Sequence, residues 1–333
     1  MPKYQLTFII PIKNRPKHLE KFIKNISKVL LNKFLCQLIF IDASDTLNQK
    51  KNFDILKKVK NCKILKQKNK GITIGCFQAI PYVKSKFVTF LYDDDELGKY
   101  LHLVYKENIK NDELFSMGTG SVQPINKRFN FQKIKKISLN KEKVLLNYFG
   151  TPLSKTNNKF QKLLSAPVSP ISTCFKSKYL IKWKKHILNF VKNNEFRKYF
   201  IIKKDIGPDL IIYLYNILNS KEYVNFFTPS VVKFSSHVDS ISIIYGANNL
   251  RIGYWLAKLS ILENEKKYDI NDKNYMYTYM IISGYFLLFT NLNNWFFLKN
   301  ICRELIKLHK NYYLKINFRY LFLILNVWFF KRK

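Results

Sequence analysis

Acidic residues are scarce. Asp and Glu total 22 of 333 residues against 58 Lys and Arg, a formal net charge of +36. A surface this basic attracts nucleic acid, an anionic membrane or a phosphorylated substrate. Lys, Asn, Ile, Phe and Tyr are abundant together, as biased codon usage would also produce. Paired cysteines are absent. Cys36, Cys62, Cys76, Cys174 and Cys302 are scattered, odd in number and never spaced C-x-x-C. Free thiols in a reducing compartment are therefore expected rather than a disulfide framework. No G-x-x-x-x-G-K-[ST], H-E-x-x-H or G-x-S-x-G occurs, which leaves P-loop, zincin and hydrolase chemistry without support. The first apolar run, Leu6 to Ile12, is too short for a signal peptide and continues into a strand–turn–helix pattern, so cytoplasmic residence is the expectation.

What is present is apolar and aromatic: 47% hydrophobic residues, with 28 Phe and 21 Tyr, exclude a disordered chain. The first hundred residues alternate short apolar runs with helical periodicity. Gln5–Ile10 reads as a strand closed by Pro11. Asn14 can cap a following helix with Pro16 in its first turn, and Leu19, Phe22, Ile23, Ile26 and Leu30 recur at helical spacing. Cys36–Ile41 reads as a second strand ending at Asp42. The turn at Ala43, Ser44 and Asp45 leads into a Lys-rich helix whose buried stripe is Phe53, Leu56 and Val59. Lys63–Leu65 is a third strand, a helix follows Gly71, and Phe87–Leu91 is a fourth strand running into Asp93, Asp94, Asp95 and Glu96.

This βαβαβαβ order predicts an α/β fold: an open, mostly parallel sheet with helices on both faces. Asp42 and the acidic cluster then both lie past the carboxyl ends of strands, the edge where open α/β sheets bind ligands. Adjacent carboxylates raise one another's pKa. A hard cation such as Mg²⁺ or Mn²⁺, bridging them to a diphosphate, would relieve this; the bland alternative is a solvated acidic turn. Gly71 and Gly75 opening a helix form a weak phosphate signal or a tight packing turn. Residues 121–165 read as a basic, loop-rich insertion. Asp205 to Asp209 opens an apolar helix, Leu210–Leu218, and Phe226–Phe234 reads as a strand. A helical, basic and aromatic region extends from 248 to 333, after a first domain spanning 1–247. Residues 274–298 carry no charge and as one helix would reach about 37 Å. Asn291, Asn293 and Asn294 favour a buried or membrane-surface helix over a span. Tyr320–Phe330 is too short to cross. After Glu304 no acid occurs, which suits an anionic headgroup region.

The run LTFIIPIKNRP (Leu6 to Pro16), IFID ending at Asp42, and FVTFLYDDDEL (Phe87 to Leu97) resemble the opening strand, the nucleotide-binding strand and the D-x-D strand of family 2 glycosyltransferases, which have the GT-A fold. The resemblance covers about residues 4–98 well and 166–245 loosely. It implies a metal-dependent, inverting transfer of a sugar from a nucleotide-diphosphate donor, a UDP-sugar by preference. The acceptor would be a glycan or lipid-linked molecule, in cell-surface polysaccharide biosynthesis. It further implies that Pro11, Asn14, Arg15, Asp42, Gly71, Asp93 and Asp94 hold the donor. Asp94, Asp95 and His237 would hold Mg²⁺ or Mn²⁺, His237 lying in a late segment similar to the family's His-x-x-S-x-S. Asp209, or secondarily Asp205, would deprotonate the acceptor hydroxyl; as plain structure, Asp209 is a good helix-cap position.

Two departures stand out: Lys13 replaces the usual aromatic residue of the first loop, and the Ala-Arg-Asn triplet is missing around Gly75, Cys76 and Phe77. The expected setting is cytoplasmic, peripheral on the inner face of the membrane. The competing reading is a non-catalytic basic protein that contacts membrane or nucleic acid through the same fold.

Overall fold

The computed structural model describes residues 3–123, 140–143, 145, 159–166, 169–227, 232–235, 241–264 and 270–311. Its strands are β1 (Tyr4–Ile12), β2 (Cys36–Asp42), β3 (Cys62–Lys66), β4 (Ser85–Phe90), β5 (Glu96–Leu97), β6 (Leu114–Gly118), β7 (Gly120–Gln123), β8 (Asn140–Glu142), β9 (Phe175–Lys176), β10 (Glu222–Phe227) and β11 (Val232–Ser235). Its helices are α1 (Pro16–Ile26), α2 (Thr46–Leu56), α3 (Ile72–Ala79), α4 (Leu101–Lys110), α5 (Lys159–Leu164), α6 (Tyr179–Val191), α7 (Glu195–Lys198), α8 (Pro208–Leu218), α9 (Ile241–Asn264), α10 (Ile270–Thr290) and α11 (Trp295–Asn311).

The central sheet runs β3-β2-β1-β4-β9. β1 pairs in parallel with β2 and β4, β2 in parallel with β3, and β9 runs antiparallel at the edge. Its strands read as continuous apolar runs because both faces are covered. Phe8, Ile10, Leu38 and Phe40 pack on one face with Leu19, Phe22 and Ile26 of α1. Ile9, Ile39, Ile41 and Val88 point the other way, onto Phe77 of α3, Trp183 of α6 and the apolar residues of α8. Two three-stranded sheets, β6-β10-β8 and β5-β11-β7, complete the strand architecture.

Helices α9, α10 and α11 belong to the same apolar cluster as the second face of the sheet, through Leu250, Trp255, Leu259, Met280, Leu287, Ile301 and Leu305. The expected boundary at 247/248 falls inside α9, just past its break at Gly246, where φ is 68°. Among the described residues no helix is long and apolar enough to cross a membrane.

Several local expectations are corrected. β1 continues through Pro11 to Ile12, because the ladder to β4 has already ended at Ile9–Phe90 and a missing N–H there costs nothing on that side. Arg15, not Asn14, sits at the N-cap of α1. In α2 the buried residues are Asn52 and Leu56, whereas Phe53 is exposed. The stretch read as one strand at 226–234 contains parts of two, β10 and β11, in different sheets. The uncharged run 274–298 is not one helix. Asn294 accepts from the N–H of Phe297 at 3.1 Å and so caps a new helix, α11. Of the basic insertion, residues 121–123, 140–143, 145 and 159–165 are described; its remainder, His237 and Tyr320–Phe330 lie outside the described residues.

Candidate active site

β1 lies between β2 and β4, so the residues following the latter two strands flank its carboxyl end, about 10 Å apart at normal strand spacing. On the β2 side Asp42 pairs with Ile12 and is buried. Its Oδ1 accepts from the Ser44 N–H (2.8 Å) and its Oδ2 from the Asn52 side-chain amide (3.0 Å). The Asn14 N–H donates to Ser44 Oγ (2.7 Å), and Asn14 Oδ1 accepts from the Asp45 N–H (2.9 Å). Asn14 takes a left-handed conformation, φ 52°, which Asn tolerates better than most residues. Its side chain is thereby committed to joining the two loops and cannot cap α1.

On the β4 side the chain turns tightly, the Asp95 N–H donating to the Tyr92 carbonyl at 3.3 Å. Arg15, next to Asn14, reaches across this turn: its guanidinium lies 3.1 Å from Asp93 Oδ1 and 3.2 Å from Asp94 Oδ2. One short loop therefore bonds both to the turn that follows Asp42 and to the acidic turn. β5 follows the acidic turn directly and pairs antiparallel with β11.

The third contribution comes from the turn before α8. Asp205, φ 52°, accepts from the N–H groups of Ile72 (3.0 Å) and Thr73 (2.9 Å). It thus caps α3, whose own N-cap residue, Gly71, has no side chain to do so. Gly71 itself has φ 105°, and a Cβ there would lie 3.6 Å from Asp205 Oδ2. The Gly71 expected to hold the donor is thus also part of this packing turn. Burial raises the pKa of Asp205 against the lowering effect of those two bonds.

Asp209 lies in the first turn of α8 behind Gly207, φ 102°. Burial pushes its carboxyl up to about 6, with the charge of Asp205 adding to the rise. Tyr92 lies near enough to these groups to feel their charges. Its hydroxyl is raised well above normal by burial first, then by the charges of Asp209, Cys76, Asp205 and Asp95.

The structure brings Pro11, Asn14, Arg15, Asp42, Gly71, Asp93, Asp94, Asp95, Asp205 and Asp209 to this edge. The donor set offers only carboxylate oxygen near Asp93 to Asp95, the chemistry a hard divalent cation takes. Among the described residues no three His, Cys, Asp or Glu are grouped as a ready metal cage, and Arg15 spans Asp93 and Asp94. A cation there would be held by at most one or two carboxylates, in competition with Arg15, and would complete its shell with phosphate oxygens. Ser44, Asn52 and Tyr92 were not anticipated. Only the Ser44 position, one residue before a helix cap in a polar turn, carried a sequence signal.

Residues 7–169 match the family model described as glycosyl transferase family 2. No curated protein sequence matches the chain. Among solved structures, S. aureus TarS 1-349 in complex with UDP-GlcNAc superposes with a TM-score of 0.59 at 14% identity, over 91% of this chain and 81% of that one. TarS 1-349 without a named ligand gives 0.53 at 15% identity, over 86% and 73%. The same fragment in complex with UDP gives 0.50 at 14% identity, over 82% and 69%.

Proposed function

We propose, from the premise that this chain is a glycosyltransferase whose residues 7–169 belong to family 2, that it moves a sugar from a UDP-sugar to a hydroxyl of a glycan or lipid-linked acceptor, with inversion. The observation that carries this reading is the Asn14–Arg15 loop joining the Asp42 corner to the acidic turn at one sheet edge, with the turn ahead of Asp209 tied to α3 through Asp205. The choice of a UDP-sugar is supported by the shared fold of TarS, which is seen with UDP-GlcNAc.

Asp42 fixes the nucleotide corner through Ser44 and Asn52. A carboxylate has about four lone-pair sites, so capacity remains for one N–H of the base. Asp94, with Asp95, would hold Mg²⁺ or Mn²⁺, which when bound offsets charge on the departing diphosphate; His237 is the further ligand suggested by the sequence. Arg15 adds a positive charge at the same mouth. Asp209, with its pKa near 6, is ionised at neutral pH yet basic enough to take the acceptor hydroxyl proton. Asp205, already bonded to two N–H groups, holds the α3 turn. The setting we propose is the cytoplasmic side of a membrane, in surface-polysaccharide assembly, supported by the strongly basic sequence.

A panel of nucleotide-sugars, screened for Mn²⁺-dependent hydrolysis and thermal stabilisation, tests this. One UDP-sugar should stabilise the protein, and Asp94→Ala should abolish turnover at an unchanged unfolding temperature. Undiminished turnover in EDTA would remove the metal from the reading, and stabilisation by none of the panel would remove the donor.

A further inference from the structure

The exposed apolar side chains of α10 and α11 are concentrated where the two helices meet. Phe289 is 72% exposed, Leu292 63%, Trp295 75% and Phe296 48%. These residues lie within one eight-residue stretch, at the tip of the α10–α11 hairpin. Asn248 of α9 donates to the Thr290 carbonyl (3.4 Å), which brings the start of α9, with exposed Ile244, alongside. Contiguous apolar surface of this kind marks a contact site rather than ordinary surface.

Its chemistry is not purely apolar. Trp295, Lys299 and Arg303 recur every four residues along the exposed side of α11, and Lys307 and Lys310 follow. The sole acid of that helix, Glu304, is buried. The tip also continues toward the candidate site: Phe296 packs against Tyr199 (6.0 Å between centroids), and Lys204 lies over Tyr199 at 5.1 Å and over Tyr245 at 3.7 Å. Lys204 directly precedes Asp205 and the turn that carries Asp209.

We infer that this tip docks on an anionic lipid bilayer surface, its aromatic and aliphatic side chains in the headgroup zone and its lysines and arginines toward lipid phosphate. Trp, Phe and Leu at the end of an amphipathic helix whose exposed side carries Lys and Arg suit that zone. A second copy of this chain would bring +36 against +36, which repels. Nucleic acid has little use for the aliphatic Leu292 and Ile244. With the tip beside the Asp209 turn, the acceptor hydroxyl arrives from the membrane side; this last step rests on the proposed role of Asp209, whereas the docking does not.

The test is co-sedimentation with phosphatidylglycerol/phosphatidylcholine vesicles, alongside donor hydrolysis measured without lipid. The wild-type chain should bind anionic but not neutral vesicles. Phe289→Ala/Leu292→Ala/Trp295→Ala should bind at least about tenfold more weakly, since each side chain forfeits its transfer to the interface. Hydrolysis of a soluble donor should not change. Should that variant fold poorly, quenching of tryptophan fluorescence by brominated lipid, with Trp295→Phe as the blank, reports the same contact. Equal vesicle binding by the triple variant, or Trp295 left unquenched by bound vesicles, overturns the inference. So does a wild-type chain that ignores vesicles but dimerises through this tip. Loss of donor hydrolysis by the wild-type chain would count against the glycosyltransferase mechanism and leave the docking standing.

Discussion

Two groups of acids in this chain sit in contrasting surroundings. Between α7, α9 and α11, Arg197 bonds Glu263 (2.7 and 2.8 Å) and Glu304 (2.5 and 3.0 Å), and Asn194 adds a bond to Glu304 at 2.6 Å. Burial works against the charge of Arg197, yet its bonds to Glu304 and Glu263 hold its pKa above normal. Opposite charges there stabilise one another and join the C-terminal helices to the rest of the core. At the sheet edge burial dominates instead: it raises Asp209 and Asp205, the charge of Asp205 adds to the rise at Asp209, and Tyr92 is raised by burial and then by the charges of Asp209, Cys76, Asp205 and Asp95. The first arrangement fixes architecture. The second leaves desolvated carboxylates with raised pKa values, the kind of environment in which candidate general bases are found.

Removing the arginine from each place sharpens this contrast most. Arg197→Ala leaves Glu304, 2% exposed, without its guanidinium and should cost about 3–5 kcal/mol of stability. Arg15 is 34% exposed, and Arg15→Ala should cost no more than about 1 kcal/mol. Urea unfolding of both variants decides the matter, and equal losses would erase the distinction.

Asp209 tests the strained side directly. Asp209→Asn should lower transfer at least about a hundredfold if this carboxylate accepts the hydroxyl proton, and wild-type activity should rise with pH through about 6. The stability sign is opposite. The folded-state pKa, about 6, lies above the ordinary 3.8, so the group favours folding below pH 4 and that contribution is lost as pH rises through 6. At neutral pH the ionised carboxylate is a cost, at most about 3 kcal/mol and less because it is partly open to water. Asp209→Asn should therefore raise the unfolding temperature at pH 7.5 and leave it nearly unchanged at pH 4. A variant both inactive and destabilised at neutral pH would make Asp209 a cap rather than a base.

The fold was legible where burial on both faces forces continuous apolar runs, as in β1, β2 and β4. It was misread where a local rule yields to a distant partner. Phe53 keeps helical spacing yet faces solvent, because the inward side of α2 is given to Asn52 and its bond to Asp42. Asn14 looks like a cap and is instead a bridge to Ser44 and Asp45, 30 and 31 residues away. Asp42 and the cluster Asp93 to Asp95 were legible as acids past strand ends, and Asp209 as an acid opening a helix. Their relations were not: Arg15 meets Asp94 across 79 residues and Asp205 meets α3 across more than 130. No spacing rule spans such separations, and only the folded sheet edge brings these groups together.

The smallest expected effect separates positioning from packing within the C-terminal helices. A Cβ on Gly253 of α9 would lie 2.2 Å from Ile206 Cγ2 and 3.1 Å from the Ile206 carbonyl, and one on Gly207 would lie 2.8 Å from the Gly253 carbonyl. The turn ahead of Asp209 thus rests on bare α9 backbone. Gly253→Ala should cost about 1–3 kcal/mol by overpacking, partly offset by about 1 kcal/mol of helix propensity. Ile206 must yield, and Asp209 moves with its turn. Gly284→Ala is the matched control: its Cβ would meet Leu305 Cδ2 at 2.6 Å and Trp255 at 3.1 Å, inside the helical layer and away from that turn. Both variants should lose similar stability. Only Gly253→Ala should lower kcat and shift the pH midpoint of activity below 6, because a displaced carboxyl is better hydrated. Matching pH profiles for the two variants would reduce α9 to a packing surface with no part in placing Asp209.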